Sequence, residues 1–154
     1  MSDSIYVGPG QRVVDIEKGY AQREAFTHIT TPGRTAGLEG EISVPLGTGT
    51  AQIAGNNLFE EGRGHHLVQL AEIAVGDRKY IHRHPLGETV WVVVQGEGEF
   101  YPDLDTAIPV KTGMLLHAYP GEWHGLRNTG DVPLRYLSIE GPMFMREGST
   151  EFAE

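Results

Sequence analysis

From residue 67 to residue 140 the chain is a succession of short apolar or β-branched runs, each cut off by glycine, proline or aspartate. The run over 67–75 stops at Gly76-Asp77, that over 89–95 at Gly96-Glu97-Gly98, and that over 107–111 at Thr112-Gly113. Residues 114–118 lead into Tyr119-Pro120-Gly121-Glu122, and 134–140 follow Thr129-Gly130-Asp131. Strands are also expected over 79–84, 99–101 and 125–128. None of these runs leaves room for a helix of three turns, because glycine and proline interrupt a helix interior. Many short strands with regular turn signals predict an all-β sandwich or barrel.

Upstream the signals are weaker. Strands are expected over 12–16, 25–30 and 41–45, and a helix over 15–24. Residues 31–64, rich in glycine, threonine and asparagine, read as loops with brief strands. The chain is expected to be one domain over 1–154, with an N-terminal extension (1–64), a barrel (65–141) and a poorly specified tail (142–154).

Composition narrows the function. The formal net charge is -9 and no basic cluster occurs, which argues against a nucleic-acid surface. No apolar run approaches eighteen residues, so no membrane helix is expected. The first residues lack a basic segment followed by an apolar one, which gives a cytoplasmic expectation. There is no cysteine, which rules out disulfides, a thiol nucleophile and iron–sulfur clusters. No phosphate-binding loop, nucleophile elbow, dinucleotide fingerprint or helix-turn-helix pattern is present.

One constellation carries chemistry. His82-Arg83-His84-Pro85-Leu86-Gly87-Glu88 places two histidines at i and i+2, on one face of a strand, with a carboxylate four residues on. His124 follows downstream. Nitrogen and oxygen donors at this spacing suit one divalent transition metal, be it Fe, Mn, Ni, Co, Zn or Cu.

From Gly76 to Asn128 the chain resembles the cupin superfamily, which carries the motifs G-x5-H-x-H-x3,4-E-x6-G and G-x5-P-x-G-x2-H-x3-N. Gly76, His82, His84 and Glu88 fit the first with a three-residue spacer, and the closing Gly96 then comes one residue late, which suggests a β-bulge. Gly113, Gly121, His124 and Asn128 fit the second, with Tyr119 at the proline position and Pro120 beside it. The resemblance implies a double-stranded β-helix (jelly-roll) barrel with N-terminal extra strands or loops. It also implies a metal held by His82, His84, Glu88 and His124 that retains two open coordination positions.

Strand parity extends the expected site. Tyr80 shares the parity of His82 and His84, so it is expected to face inward as an acid–base group, alongside Glu88 itself and Tyr136. Val90 and Val92 share the parity of Glu88 and are expected to line the substrate pocket, with Gln69, while Trp123 closes its mouth. His65, His66 and His117 are expected not to be ligands, and Arg83 to lie outside. The functional expectation is a metal-dependent enzyme acting on a small oxygenated organic substrate, with dioxygenase chemistry first. The alternatives are an isomerase, epimerase, lyase or decarboxylase, and a binding protein without catalysis. A homodimer is expected by analogy with relatives.

Overall fold

The computed structural model describes residues 6–7, 13–21, 41–45, 67–141 and 151–153. Its elements in chain order are β1 (Tyr6–Val7), β2 (Val13–Val14), α1 (Ile16–Ala21), β3 (Glu41–Pro45), β4 (Leu67–Ile73), β5 (Arg78–Arg83), β6 (Glu88–Gln95), β7 (Glu97–Tyr101), β8 (Ile108–Lys111), β9 (Leu115–Ala118), β10 (His124–Asn128), β11 (Leu134–Gly141) and β12 (Glu151–Phe152). β1 pairs with β2. The other strands form two antiparallel five-stranded sheets, ordered β12-β5-β10-β7-β8 and β3-β4-β11-β6-β9. This is the expected all-β jelly-roll sandwich.

The core lies between the sheets. Ala71, Ile73, Trp91, Val93, Leu116, Leu134 and Tyr136 from the second sheet meet Val110, Leu126 and Phe100 from the first. Trp91 is its centre, 1% exposed, with edge contacts to Phe100 and Tyr136. Asn128, the last residue of the second motif, links the two sheets. Its amide donates to the carbonyls of Ile73 on β4 (3.0 Å) and Val132 (2.8 Å), and its Oδ1 accepts from the Gly130 N–H.

The helix is shorter than the expected span over 15–24, covering Ile16–Ala21, and residues 22–24 lie outside the described residues. Asp15 caps it by accepting from the Lys18 N–H. Its buried Tyr20 packs on Leu70 and donates to the carbonyls of Ala71 (3.0 Å) and Tyr136 (2.7 Å), tying the helix to the outer face of the β4–β11 pair. The expected strand over 25–30 and most of 31–64 lie outside the described residues, as do His65 and His66.

Of the expected tail over 142–154, only residues 151–153 are described, and these are paired with the sheet. Glu151 and Phe152 add an edge strand to β5, with the Ala153 N–H donating to the Ile81 carbonyl. Arg83 clamps Glu151 at 2.6 Å, and Phe152 lays its ring 5.9 Å from that of His82. A short segment without periodicity gives no strand signal, because its pairing is set by the edge it meets.

Candidate metal centre

Three histidines converge inside one end of the sandwich. His82 lies on β5, His84 just after it, and His124 opens β10, directly opposite His82 in the register. The β10 approach is fixed by a pair of turns. The His84 carbonyl accepts from the Gly87 N–H at 3.3 Å and from the Gly121 N–H at 2.8 Å, so the turn before His124 is tied to the turn after His84. Gly121 has φ +84°, a conformation that glycine adopts without strain.

One potential ligand atom from each histidine lies within 4.8 Å of the other two, and all three residues are buried. Ring centroids are separated by 5.0 Å (His82–His84), 4.3 Å (His82–His124) and 5.2 Å (His84–His124). The Nδ1 of His82 lies 2.7 Å from the Tyr80 carbonyl and that of His124 lies 3.0 Å from the Glu122 carbonyl. A carbonyl can only accept, so both Nδ1 atoms carry the proton and each Nε2 presents its lone pair. Metal-binding imidazoles are oriented in this way. The His124 Nε2 is buried without a hydrogen-bond partner among the described residues, as is the Thr89 hydroxyl. Buried polar atoms are rarely left so. A divalent ion is the kind of group that satisfies such an imidazole, so the residues fit one.

Electrostatics keep the His82 and His124 imidazoles in the ligating form. Burial, reinforced by the positive charge of His124, Lys79 and His84, holds His82 well below the ordinary imidazole range. Burial and His84 lower His124 to about 4. The stability of the metal-free protein should therefore fall in mild acid. Below about pH 6.5 the unfolded chain takes up protons that the folded site refuses, so stability is greatest above that pH and declines toward pH 4. His124 alone should cost about 2 kcal/mol between pH 6.5 and 5. Urea midpoints of metal-free protein should fall over that range, and less so for His124→Gln. Identical midpoints at the two pH values would contradict this picture.

The expected carboxylate is elsewhere. Glu88 does not join the histidines: its side chain is 49% exposed and meets the His117 Nε2 at 2.5 Å, across the β6–β9 pair. The reason is parity. Thr89, Trp91 and Val93 are the buried positions of β6, so Glu88, Val90 and Val92 point to the opposite face. Val90 and Val92 thus do not line the interior. The β6–β11 register does shift, between Arg135 and Tyr136, but near Val93–Gln95, beyond Thr89, so it cannot turn Glu88 inward. The spacing held a signal of this. A four-residue spacer puts the first motif's carboxylate position at Thr89 and places Gly96 six residues beyond it, on time.

Tyr80 is also displaced. β5 carries an extra residue opposite β10, because His124 faces His82 while Leu126 faces Lys79. The bulge reverses parity, so Lys79 is buried, and Tyr80 lies on the outer side beneath the Arg78 guanidinium, 4.1 Å from its ring centre. Gly125 fits against this bulge, where a Cβ would stand 2.8 Å from Ile81 Cγ1. Tyr136 does face inward, yet it sits in the core, with Trp91 in contact with both it and His124. Trp123 packs under Arg83, 4.4 Å from the guanidinium carbon, and so braces the clamp on the C-terminal strand. The register sets Gln69 opposite Ser138, and its side chain lies outside the described residues.

Residues not singled out in the sequence line the same interior. Glu140 on β11 is 3% exposed, and its Oε2 lies 3.7 Å from the His84 Nε2. Its Oε1 accepts from the Ser138 hydroxyl at 3.0 Å, and Ser138 in turn accepts from the Trp91 indole N–H at 3.0 Å. Burial opposes the Glu140 charge, but Lys79, His84, His124 and the Ser138 bond outweigh it and hold the carboxyl below its ordinary range. Lys79 also lies over Trp91, 5.2 Å from the ring centre.

Residues 69–140 match the family model of the cupin domain. These residues form a domain of the cupin superfamily. This cupin is 26% identical over 112 residues to an oxalate-binding protein of Thermotoga maritima, an alignment covering 71% of this chain and 85% of that protein. It is 30% identical over 84 residues to an uncharacterized protein of Methanocaldococcus jannaschii, covering 54% and 66% of the two chains. Among solved structures it is similar to an uncharacterized double-stranded β-helix protein from Klebsiella pneumoniae. There the identity is 28%, the coverage 58% of this chain and 76% of the other, and the TM-score 0.54. No helix among the described residues is long and apolar enough to cross a membrane.

Proposed function

We propose that this cupin is a metal-dependent enzyme that chelates a small oxygenated organic anion at a centre held by His82, His84 and His124, with dioxygenase-type chemistry. The observation that carries the reading is the convergence of three buried imidazoles, two of them held by backbone carbonyls in the tautomer that presents Nε2 inward. A divalent metal held there supplies Lewis-acid polarisation of chelated oxygens and, where redox-active, access to dioxygen. The chain's own residues do the rest. Lys79 adds a buried positive charge to the interior, which favours an anionic ligand. Trp91 and Phe152 cover the rings of His124 and His82 and limit water there.

Binding without turnover is a second reading, favoured by the relative named as an oxalate-binding protein. Protein reconstituted with iron, manganese, nickel or copper should be titrated with oxalate, 2-hydroxy acids and keto-enols, with heat and oxygen uptake followed together. Oxygen uptake with at least one of these compounds, lost in His84→Ala, is the expected result. Tight binding with no uptake on any metal would favour the second reading, and no binding at all would overturn both.

A further inference from the structure

The first cupin motif draws its carboxylate from the strand after the paired histidines, and in this chain the inward position on that strand is Thr89. Thr89 and Glu140 are direct partners in the β6–β11 register, and both are buried. Directly opposed residues on one face of an antiparallel pair hold their Cβ atoms about 4.5–5.5 Å apart. Either position can therefore deliver a carboxylate to the same part of the interior. We infer that Glu140, carried by β11, is the carboxylate partner of a bound divalent ion, in the role that the motif gives to a residue of β6.

This rests on the metal reading proposed above. Three observations place Glu140 in that role. Its Oε2 approaches the His84 Nε2 to 3.7 Å, inside the roughly 4.4 Å that can separate two donors about 2.2 Å from one ion, while it stands outside the group of His82, His84 and His124 atoms that all lie within 4.8 Å of one another. The Trp91–Ser138 hydrogen bonds hold Oε1, which fixes the orientation of the carboxylate as supporting partners of metal ligands do. Thr89 leaves room opposite, since a threonine is shorter than a glutamate and its hydroxyl has no hydrogen-bond partner among the described residues. Glu88, by contrast, is engaged with His117 on the other face of β6.

Calorimetric titration of the full chain with Mn²⁺ and Co²⁺ at neutral pH tests the inference. Glu140→Gln should bind more than about a hundredfold more weakly than the wild type, beyond what loss of a supporting partner alone costs, and Glu88→Gln should stay within about twofold. Adding Thr89→Glu to Glu140→Gln should restore most of the lost affinity, because it returns the carboxylate to the motif position. Glu140→Asp keeps the charge but withdraws it by one methylene, and should bind at least about fivefold more weakly even if Glu140→Gln does not fold. Wild-type affinity in both Glu140 variants, beside loss in His84→Ala, would overturn the inference and leave the metal reading standing. Loss in Glu88→Gln alone would also overturn it. A wild type that binds neither ion would overturn the metal reading itself.

Discussion

His84→Ala and His124→Ala should each lose metal almost completely, with affinity falling more than about a hundredfold, the upper end of what loss of a ligand's supporting partner alone costs. Each contributes one of three converging ligand atoms, and each is buried where no exposed group can substitute. The controls are other histidines. His117→Ala removes the partner of Glu88 on the outer face of β6 and should leave occupancy nearly unchanged. His65→Ala should do the same. Metal content after purification and dialysis, measured by inductively coupled plasma mass spectrometry, reads all four. Equal loss in His65→Ala would mean that the centre is misplaced.

Gly98→Ala should be the most destabilising single substitution of a glycine in the sandwich. A Cβ at Gly98 would stand 2.1 Å from the Arg127 carbonyl oxygen and 3.0 Å from Leu134 Cδ2. The oxygen belongs to the backbone of β10, the strand paired with β7. No rotamer relieves that contact, so the β7–β10 ladder must separate, at a cost of more than about 3 kcal/mol. Gly76→Ala is the comparison. Gly76 has φ +83°, but a Cβ there meets nothing within 4 Å, so the cost is conformational strain of about 1–2 kcal/mol. Urea unfolding should show a much lower midpoint for Gly98→Ala than for Gly76→Ala. Similar midpoints would mean that the two strands separate more easily than their register implies.

The strands from β4 to β11 were legible in the sequence because each is a short β-prone run between turn residues, and their observed ends fall within a residue or two of the expected ones. The three histidines were legible because their spacing is tied to the turns around them. What parity alone could not give was the face of each neighbour. One extra residue in β5 moves Tyr80 outward and brings Lys79 inward, and a sequence shows no mark of a bulge that Gly125 accommodates from the opposite strand. On β6 a single-residue choice of spacer decides between Glu88 and Thr89, and the late Gly96 was the available clue. Glu140 is distant in sequence from every motif position. Its role comes from pairing opposite Thr89, which only the sheet register reveals. Trp91, at the centre of the core, has the parity that a glutamate at 88 would have assigned to the outside.

The proposed centre has His82, His84 and His124 bound to one metal ion together. X-ray absorption spectroscopy of the Co²⁺- or Mn²⁺-loaded protein tests it most directly, since imidazole scattering counts the histidines bound to the ion. Three imidazoles are predicted in the wild type, and at most two on any ion that His124→Ala takes up from excess metal. One imidazole or none in the wild type would mean that the three histidines do not share an ion.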